Sequence, residues 1–105
     1  MTAETAERVA DTIQALGTPS RIRILSALAV APRSVSELAA HIQMEQPAVS
    51  QQLRILRDLE LITGDRKGRQ VIYSLHDPHI ADLLTQAIAH SEHLDPRPAT
   101  PTGTT

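Results

Sequence analysis

The stretch S-V-S-E-L-A-A-H-I-Q-M-E-Q-P-A-V-S-Q-Q-L-R-I-L-R-D-L (34–59) contains two helix patterns separated by a linker of only a few residues. Ser34 and Glu37 have the spacing of a capping box, which predicts the start of the first helix. Gln46-Pro47 predicts the start of the second helix, because proline is favoured in a first helical turn. Two helices joined by a tight turn predict a helix-turn-helix, whose second member enters the major groove of DNA.

The second helix of this pair, predicted to end at about residue 59, has an apolar side and a polar side. The apolar side, predicted to face the core, contains Ala48, Val49, Leu53, Ile55, Leu56 and Leu59. The polar side, together with the helix start, contains Gln46, Pro47, Ser50, Gln51, Arg54 and Arg57. Hydroxyl, amide and guanidinium groups bond to base edges and phosphates, so we predict that this side contacts DNA. A generic surface helix would mix in more Glu and Lys, and Asp58 is the only acidic residue here.

A basic hairpin is predicted directly after this helix. Residues 61–66 and 70–75 are strand-like and are separated by a Lys67-Gly68 turn, in which the glycine suits the positive φ of tight hairpins. The basic residues around its tip are Arg66, Lys67 and Arg69. In this position the hairpin is predicted to be a wing that touches phosphate or the minor groove. A charged tip that only favours solubility is the alternative interpretation.

The remaining helices complete the fold class. Residues 3–16 form an amphipathic pattern that Gly17 ends, and a second pattern begins at Thr18-Pro19 and stops before Ala31-Pro32. With a final helix after the hairpin, the order of elements is ααααββα. We therefore predict a mainly α protein with a small β-hairpin, a winged helix-turn-helix.

The composition limits the classes of protein to which the chain can belong. It has 105 residues and no Phe or Trp, so the core must be aliphatic and buries little area per residue, which favours dimerisation. It has no cysteine, which excludes disulfides and thiolate metal sites. No apolar run is as long as a membrane span and no signal pattern opens the chain, so we predict a cytoplasmic protein without a membrane partner.

The charges are distributed unevenly along the chain. Residues 46–75 carry five basic and three acidic side chains, whereas residues 76–105 carry one basic and four acidic side chains. A mildly basic segment inside an acidic chain fits a local surface that faces phosphate.

The last predicted helix carries the pattern D-x-H-x10-H-x2-H in D-P-H-I-A-D-L-L-T-Q-A-I-A-H-S-E-H (77–93). Asp77 and His79 lie at its start, and His90 and His93 lie together on one face at its end. His79 and His90 point the same way but are about 16 Å apart along the axis, which metal–imidazole bonds of about 2.0–2.1 Å cannot span. One helix therefore carries two half-sites, and two antiparallel copies would complete two metal sites by two-fold symmetry. The alternative is that these histidines are simply solvated.

Two further histidines, His41 and His76, have no matching partner and are predicted to be solvated surface residues. Residues 1–94 are predicted to form one domain for DNA binding and dimerisation. Residues 95–105 are rich in Pro and Thr without an apolar pattern, which predicts a disordered tail.

The order of elements and four stretches of sequence resemble the ArsR/SmtB family of metal-sensing winged-helix regulators. The stretches are A-L-G-T-P-S-R-I-R-I-L (15–25), S-E-L-A (36–39), A-V-S-Q-Q-L-R-I-L (48–56) and V-I-Y-S-L (71–75). The resemblance runs from about residue 5 to residue 94. Within the family, M-E-Q-P-A-V-S-Q-Q-L-R (44–54) and A-H-S-E-H-L (89–94) are most similar to the actinobacterial nickel/cobalt sensors.

The resemblance implies a homodimer whose first and last helices form the interface. It implies metal ligands from both subunits, which are Asp77 and His79 of one and His90 and His93 of the other. It also implies that metal binding lowers the affinity for operator DNA and so releases genes for metal efflux or homeostasis.

The resemblance places Ni(II) first as the bound metal. Zn(II) is second, because four nitrogen and oxygen ligands suit a tetrahedral zinc site, and Co(II) is a further candidate. Nickel/cobalt sensors of this group tend to add ligands from a His-bearing N-terminal extension, and residues 1–12 of this chain contain no His.

Two other classes of function remain open at this point. One is a winged-helix regulator that is controlled by a protein partner or a small molecule instead of by metal. The other is a metal-dependent hydrolase, which needs an acid/base carboxylate and a substrate cleft. Glu92 is the only nearby candidate for that carboxylate and no nucleophile elbow is present, so an enzyme is not expected.

Overall fold

The computed structural model describes residues 1–93, with the side chain of His93 outside the described part. Its elements follow the predicted order ααααββα. They are α1 (Ala3–Leu16), α2 (Pro19–Val30), α3 (Val35–Ile42), α4 (Gln46–Asp58), β1 (Ile62–Lys67), β2 (Gln70–Leu75) and α5 (Pro78–His93). The tail predicted to be disordered, 95–105, lies outside the described residues. None of the helices within residues 1–93 combines the length and the apolar character needed to cross a membrane.

The predicted starts of α3 and α4 are confirmed by their local contacts. Ser34 Oγ accepts a hydrogen bond from the Glu37 N–H at 3.2 Å, and Glu37 Oε1 accepts one from the Ser34 N–H at 2.8 Å, which is the predicted capping box. α4 begins at Gln46 with a proline in its first turn, as predicted. Between the two helices, Gln43 takes the left-handed conformation with φ 57°, which ends α3 and turns the chain into α4.

An aliphatic core joins α2, α3 and α4 to the start of the hairpin and to α5. Its largest fully buried side chains are Ile24, Leu25, Leu38, Val49, Leu53, Leu56 and Ile62. The prediction that the apolar side of α4 faces the core is confirmed for the three α4 residues among these, but Ala48 and Leu59 are exposed. The reason is that α3 and β1, the main neighbours of α4, cover only a narrow stripe of it, and Leu59 follows its last helical residue.

β1 and β2 form an antiparallel hairpin in which Lys67 pairs with Gln70 next to the turn. The turn residues are Gly68 and Arg69, not the predicted Lys67 and Gly68, because Lys67 still pairs with Gln70. Gly68 is thus the first turn residue, and it has the positive φ of 66° that the turn was predicted to need. The predicted bounds of β2 are confirmed, whereas β1 lies one residue further along the chain than predicted, because the pairing continues up to the turn.

The segment between α2 and α3 adds a contact to the hairpin that holds Tyr73. Arg33 exchanges two backbone hydrogen bonds with Tyr73, its N–H donating at 3.0 Å and its C=O accepting at 2.8 Å. The Tyr73 ring packs over Gly64 of β1, where an added Cβ would lie 3.2 Å from Tyr73 Cε1 and 3.1 Å from Val71 Cγ1. Glycine at position 64 therefore allows the ring to pack close to the strand.

The apolar sides of α1 and α5 are only partly buried within one subunit. The buried residues of these helices are Ala15 on α1 and Ile80 and Leu84 on α5. Val9 and Ile13 on α1 are 41% and 59% exposed. Leu83 and Ile88 on α5 are 44% and 49% exposed. Both helices thus present large aliphatic side chains that other residues of 1–93 leave uncovered, which is typical of surface that another protein subunit buries.

Glu37→Gln is expected to make the free energy of unfolding less sensitive to pH in the acid range. The Ser34 N–H and then the Ser34 hydroxyl lower the pKa of Glu37 below its ordinary 4.5. Burial raises this pKa by less, and the charge of Arg33 has the smallest effect, which again lowers it. The folded state therefore favours the ionised carboxylate. This contribution to the free energy of unfolding is present above pH 4.5 and is lost as the pH falls through the folded-state pKa. The variant keeps an acceptor for the Ser34 N–H but cannot ionise.

Urea unfolding at a series of pH values measures this effect. Between about pH 6 and pH 3 the free energy of unfolding should fall less in Glu37→Gln than in the wild type. Glu7→Gln, which changes an exposed carboxylate on α1, is the matched control and should follow the wild type. Parallel curves for Glu37→Gln and the wild type would contradict the stabilising role of this capping carboxylate.

Candidate nucleic-acid interface and metal half-sites

The polar side of α4 is exposed, as predicted. Its residues are Gln46, Pro47, Ser50, Gln51, Arg54 and Arg57, which we call the α4 face. They lie on the helix away from the buried stripe of Val49, Leu53 and Leu56, so the core holds the helix from behind and leaves the face free. The structure thus brings all the predicted α4 contacts together on one surface.

The basic residues of the hairpin tip are exposed as well. Arg66, Lys67 and Arg69 surround the Gly68 turn, and all three side chains reach solvent. Because β1 packs on α4, the hairpin is held at a fixed position relative to the α4 face. The predicted wing residues are therefore accessible together with the predicted helix residues.

A groove of about 410 Å³ lies between α4 and β2. Its lining residues, which define what we call the α4–hairpin groove, are Ser50, Leu53, Arg54, Arg57, Asp58 and Tyr73. Tyr73 was not predicted to belong to the site. Its position depends on strand pairing and on the close approach to Gly64, which no local sequence pattern reveals.

A side-chain hydrogen bond fixes α4 to α2. Arg21 Nε donates to Gln52 Oε1 at 2.7 Å, and both side chains are partly buried. Such charge-assisted bonds are stronger than bonds between neutral groups. Neither residue was predicted to have this role, because a contact between residues 31 positions apart gives no periodic signal.

Asp77 and His79 form a pair at the start of α5. Asp77 Oδ1 accepts a hydrogen bond from the His79 N–H at 2.9 Å, as a helix-capping side chain does. The same oxygen lies 3.3 Å from His79 Nδ1. In a tetrahedral site with bonds of about 2.0–2.1 Å, neighbouring ligand atoms lie about 3.3–3.4 Å apart, so this spacing fits two ligands of one ion. The side chains are 38% and 87% exposed, which leaves both open to further ligands.

The other predicted ligands lie at the far end of α5. His90 is exposed there, and His93 is the last residue of the helix. His79 and His90 are separated by about 16 Å along a helix axis. Within the described part of one subunit, no three His, Cys, Asp or Glu side chains are grouped so that they could hold a metal ion. One subunit thus pairs Asp77 with His79 but does not bring them to His90. The other histidines, both exposed as predicted, are His41 and His76.

Comparison with known proteins places these features in a family. A family model described as bacterial regulatory protein, arsR family, matches residues 18–63. The chain is similar to the HTH-type transcriptional regulator NmtR of Mycobacterium tuberculosis, with 57% identity over 87% of this chain and 76% of that protein. It is also similar to the transcriptional repressor SmtB homolog of Synechocystis, with 41% identity over 90% of this chain and 72% of that protein.

Solved structures extend the similarity to the whole fold. The solution structure of apo-NmtR matches 94% of this chain and 87% of its own, with a TM-score of 0.77 and 52% identity. Mb0332 of Mycobacterium bovis, a homodimeric winged helix-turn-helix DNA-binding domain, matches 89% of this chain and 87% of its own, with a TM-score of 0.80 and 28% identity. The predicted winged helix-turn-helix fold is thereby confirmed.

Proposed function

The chain belongs to the arsR family of bacterial regulatory proteins, and from this premise we propose that it is a metal-responsive transcriptional repressor rather than an enzyme. The observation that carries the proposal is the α4 face, an exposed polar and basic surface on the second helix of a helix-turn-helix, with a basic hairpin beside it. Such a helix reads base edges in the major groove, while a wing contacts phosphate or the minor groove. The proposed DNA contacts are Gln46, Pro47, Ser50, Gln51, Arg54, Arg57, Arg66, Lys67 and Arg69.

We propose that the protein acts in the cytoplasm as a homodimer, with residues 1–94 as one domain for DNA binding and dimerisation. The exposed aliphatic side chains of α1 and α5 support this, because each Å² of apolar surface removed from water contributes about 25 cal/mol. The similar Mb0332 domain is described as homodimeric. A two-fold axis also suits operator DNA, since half-sites about 34–36 Å apart present successive major grooves to two recognition helices.

The metal sites are proposed to form across the dimer. If the two α5 helices run antiparallel, Asp77 and His79 of one subunit meet His90 and His93 of the other, and two-fold symmetry makes a second such site. The 3.3 Å spacing of Asp77 Oδ1 and His79 Nδ1 supports this, as does the distance of about 16 Å along α5 that separates His79 from His90 in one subunit. A bound divalent ion supplies positive charge and a rigid bridge between the subunits.

The proposed metal is Ni(II) first, from the family resemblance. Zn(II) is second, because four ligands and the 3.3 Å spacing suit a tetrahedral site, and Co(II) is a third candidate. The donor set of one carboxylate and three imidazoles is compatible with each of these ions.

Metal binding is proposed to lower the affinity for DNA, as the family resemblance implies. Ligands shared between the two α5 helices would fix the angle between the subunits. That angle sets the distance between the two α4 faces, which must match the distance between the two halves of the DNA operator. A coupling free energy of about 1–3 kcal/mol changes the DNA affinity about five- to 150-fold. Because coupling is reciprocal, DNA must weaken metal binding by the same factor.

Fluorescence anisotropy tests the proposal with a DNA duplex that the metal-free protein selects from a randomised pool. The metal-free protein should bind the selected duplex more tightly than a scrambled one, and Ni(II), Zn(II) or Co(II) should weaken that binding until a chelator restores it. Equal binding to both duplexes would overturn the DNA-binding function. A preference that neither metal nor chelator changes would favour the alternative function, a winged-helix regulator controlled by a protein partner or a small molecule.

Arg54→Ala is expected to weaken binding to the selected duplex by about 1–3 kcal/mol, or about five- to 150-fold, without changing the metal affinity of the free protein. Arg54 is exposed on the α4 face and lies on a different helix from the proposed metal ligands. Anisotropy measures the first quantity and isothermal titration the second. Arg23→Ala, at an exposed arginine of α2, is the control. Equal loss of both affinities in Arg54→Ala would show a general structural defect and contradict the assignment.

A further inference from the structure

The α4–hairpin groove contains unpaired basic groups that converge on one space. Its lining residues include Arg54, Arg57, Ser50 and Tyr73, which carry two guanidinium and two hydroxyl groups, against the single carboxylate of Asp58. Among the described side chains, the one contact within 4.0 Å between a basic and an acidic group is that of His79 with Asp77, so neither guanidinium is paired with a carboxylate. The groove therefore offers charge and hydrogen-bond donors to an anionic group.

Tyr73 is held rigidly at the wall of this groove, yet its hydroxyl has no partner. Two backbone hydrogen bonds to Arg33 and the packing of its ring over Gly64 fix the residue. Its hydroxyl makes no hydrogen bond with any described side chain or backbone group. The described part of the chain contains no buried polar side-chain atom without a partner, so this hydroxyl is not buried. The hydroxyl is therefore open to solvent and free to donate.

The position of the groove identifies what would lie over it. A helix in the major groove and a hairpin tip in the adjoining minor groove lie on either side of one sugar–phosphate strand. In this protein the α4–hairpin groove lies between α4 and Tyr73 of β2, the strand that leads away from the hairpin tip. A DNA strand that runs between the α4 face and the tip would pass over this groove.

We propose that the α4–hairpin groove binds a backbone phosphodiester of that strand, with Arg57 pairing the phosphate charge and the Tyr73 hydroxyl donating to a phosphate oxygen. Arg54 and Ser50 lie beside them on α4. The inference rests on the proposed function and adds to it a phosphate site that fixes the register of α4 on the duplex. Asp58 lines the same groove, repels the phosphate and so limits the affinity.

Arg57→Gln and Tyr73→Phe test the two favourable interactions by anisotropy over a range of salt concentrations. Arg57→Gln should lower the slope of log affinity against log salt by about 0.9 for each phosphate that is no longer neutralised, or about 1.8 for a two-fold dimer. It should weaken the selected and the scrambled duplex by the same factor. Tyr73→Phe removes an uncharged donor to a charged oxygen, so it should weaken both duplexes by about tenfold or more and leave the slope unchanged.

Asp58→Asn tests the unfavourable interaction in the opposite direction. It should tighten binding to both duplexes about two- to fivefold, a gain that a folding defect cannot produce. Arg23→Gln removes an equal charge outside the groove and is the matched control for Arg57→Gln, with a salt slope that should equal that of the wild type.

Failure of this inference is distinguishable from failure of the proposed function. If the wild type binds the selected and scrambled duplexes equally, the proposed function fails. If the wild type discriminates but Arg57→Gln weakens only the selected duplex, Arg57 reads a base and the phosphate site is overturned. Wild-type affinity in Tyr73→Phe, or wild-type or weaker affinity in Asp58→Asn, also overturns it.

Discussion

Alanine at His79 or at His90 is expected to abolish the metal response of DNA binding, while the metal-free protein keeps its affinity for the selected duplex. Each proposed site would lose one of its four ligands. Loss of a residue that only hydrogen-bonds to a ligand lowers metal affinity about 10–100-fold, so the loss of a ligand should lower it further. Both side chains are exposed, so neither change should unfold the subunit. Isothermal titration with Ni(II) and Zn(II) and anisotropy measure the two effects, and His41→Ala on α3 is the matched control.

A mixture of the two variants separates a site shared between subunits from a site within one subunit. In a dimer of one His79→Ala and one His90→Ala subunit, one proposed site lacks both histidines and the other retains all its ligands. Random exchange makes half of the dimers mixed, so the mixture should bind about a quarter as much metal as the wild type. Each variant alone should bind none at the same concentration. No recovery in the mixture would contradict the shared site.

The elements of the fold could be predicted because residues close in sequence determine them. Ser34 with Glu37, and Pro47, set the starts of α3 and α4 through local capping and a fixed φ, and the structure has both starts as predicted. Gly68 likewise placed the hairpin turn to within one residue, since the predicted turn was Lys67-Gly68 and the observed turn is Gly68-Arg69. The separation of His79 from His90 within one subunit follows from the helical period alone, without knowledge of the tertiary structure.

Contacts between distant residues could not be predicted, because they depend on how the elements pack. The bond from Arg21 to Gln52 and the position of Tyr73 over Gly64 have no signal in periodicity or spacing. Periodicity also overestimated burial on α4, where Ala48 is exposed although it lies on the apolar side. A sequence pattern shows which side of a helix is apolar, but the neighbouring elements decide how wide a stripe is covered.

The packing within one subunit also connects α5 to α4. α2 packs against α5, and Arg21 of α2 donates its hydrogen bond to Gln52 of α4. We therefore expect a shift of α5 to reach the α4 face through α2 as well as through the dimer axis. Both routes require that α5 be held in one position, which ligands at both of its ends would accomplish.

Glutamate at Ile13 or at Ile88 is expected to separate the dimer and to weaken binding to the selected duplex about 1,000-fold or more. These aliphatic side chains are 59% and 49% exposed in one subunit, so the fold of the subunit does not need them. In the proposed interface each substitution buries an unpaired carboxylate, at a cost of several kcal/mol for each ion, and symmetry makes it occur twice. A monomer contacts only one half of the operator, so its affinity for the duplex falls towards that of non-specific DNA binding.

Sedimentation velocity measures the loss of the dimer, anisotropy the loss of DNA binding, and urea unfolding of the subunit verifies that the fold persists. Val30→Glu is the matched control, because Val30 is 77% exposed on α2, outside the α1 and α5 surfaces. It should remain dimeric and bind the duplex as the wild type does. If Ile88→Glu also remains dimeric with wild-type affinity, α5 lies outside the interface. The partial metal sites at Asp77–His79 and at His90 would then not be completed by a second subunit, and the proposed metal site would be wrong.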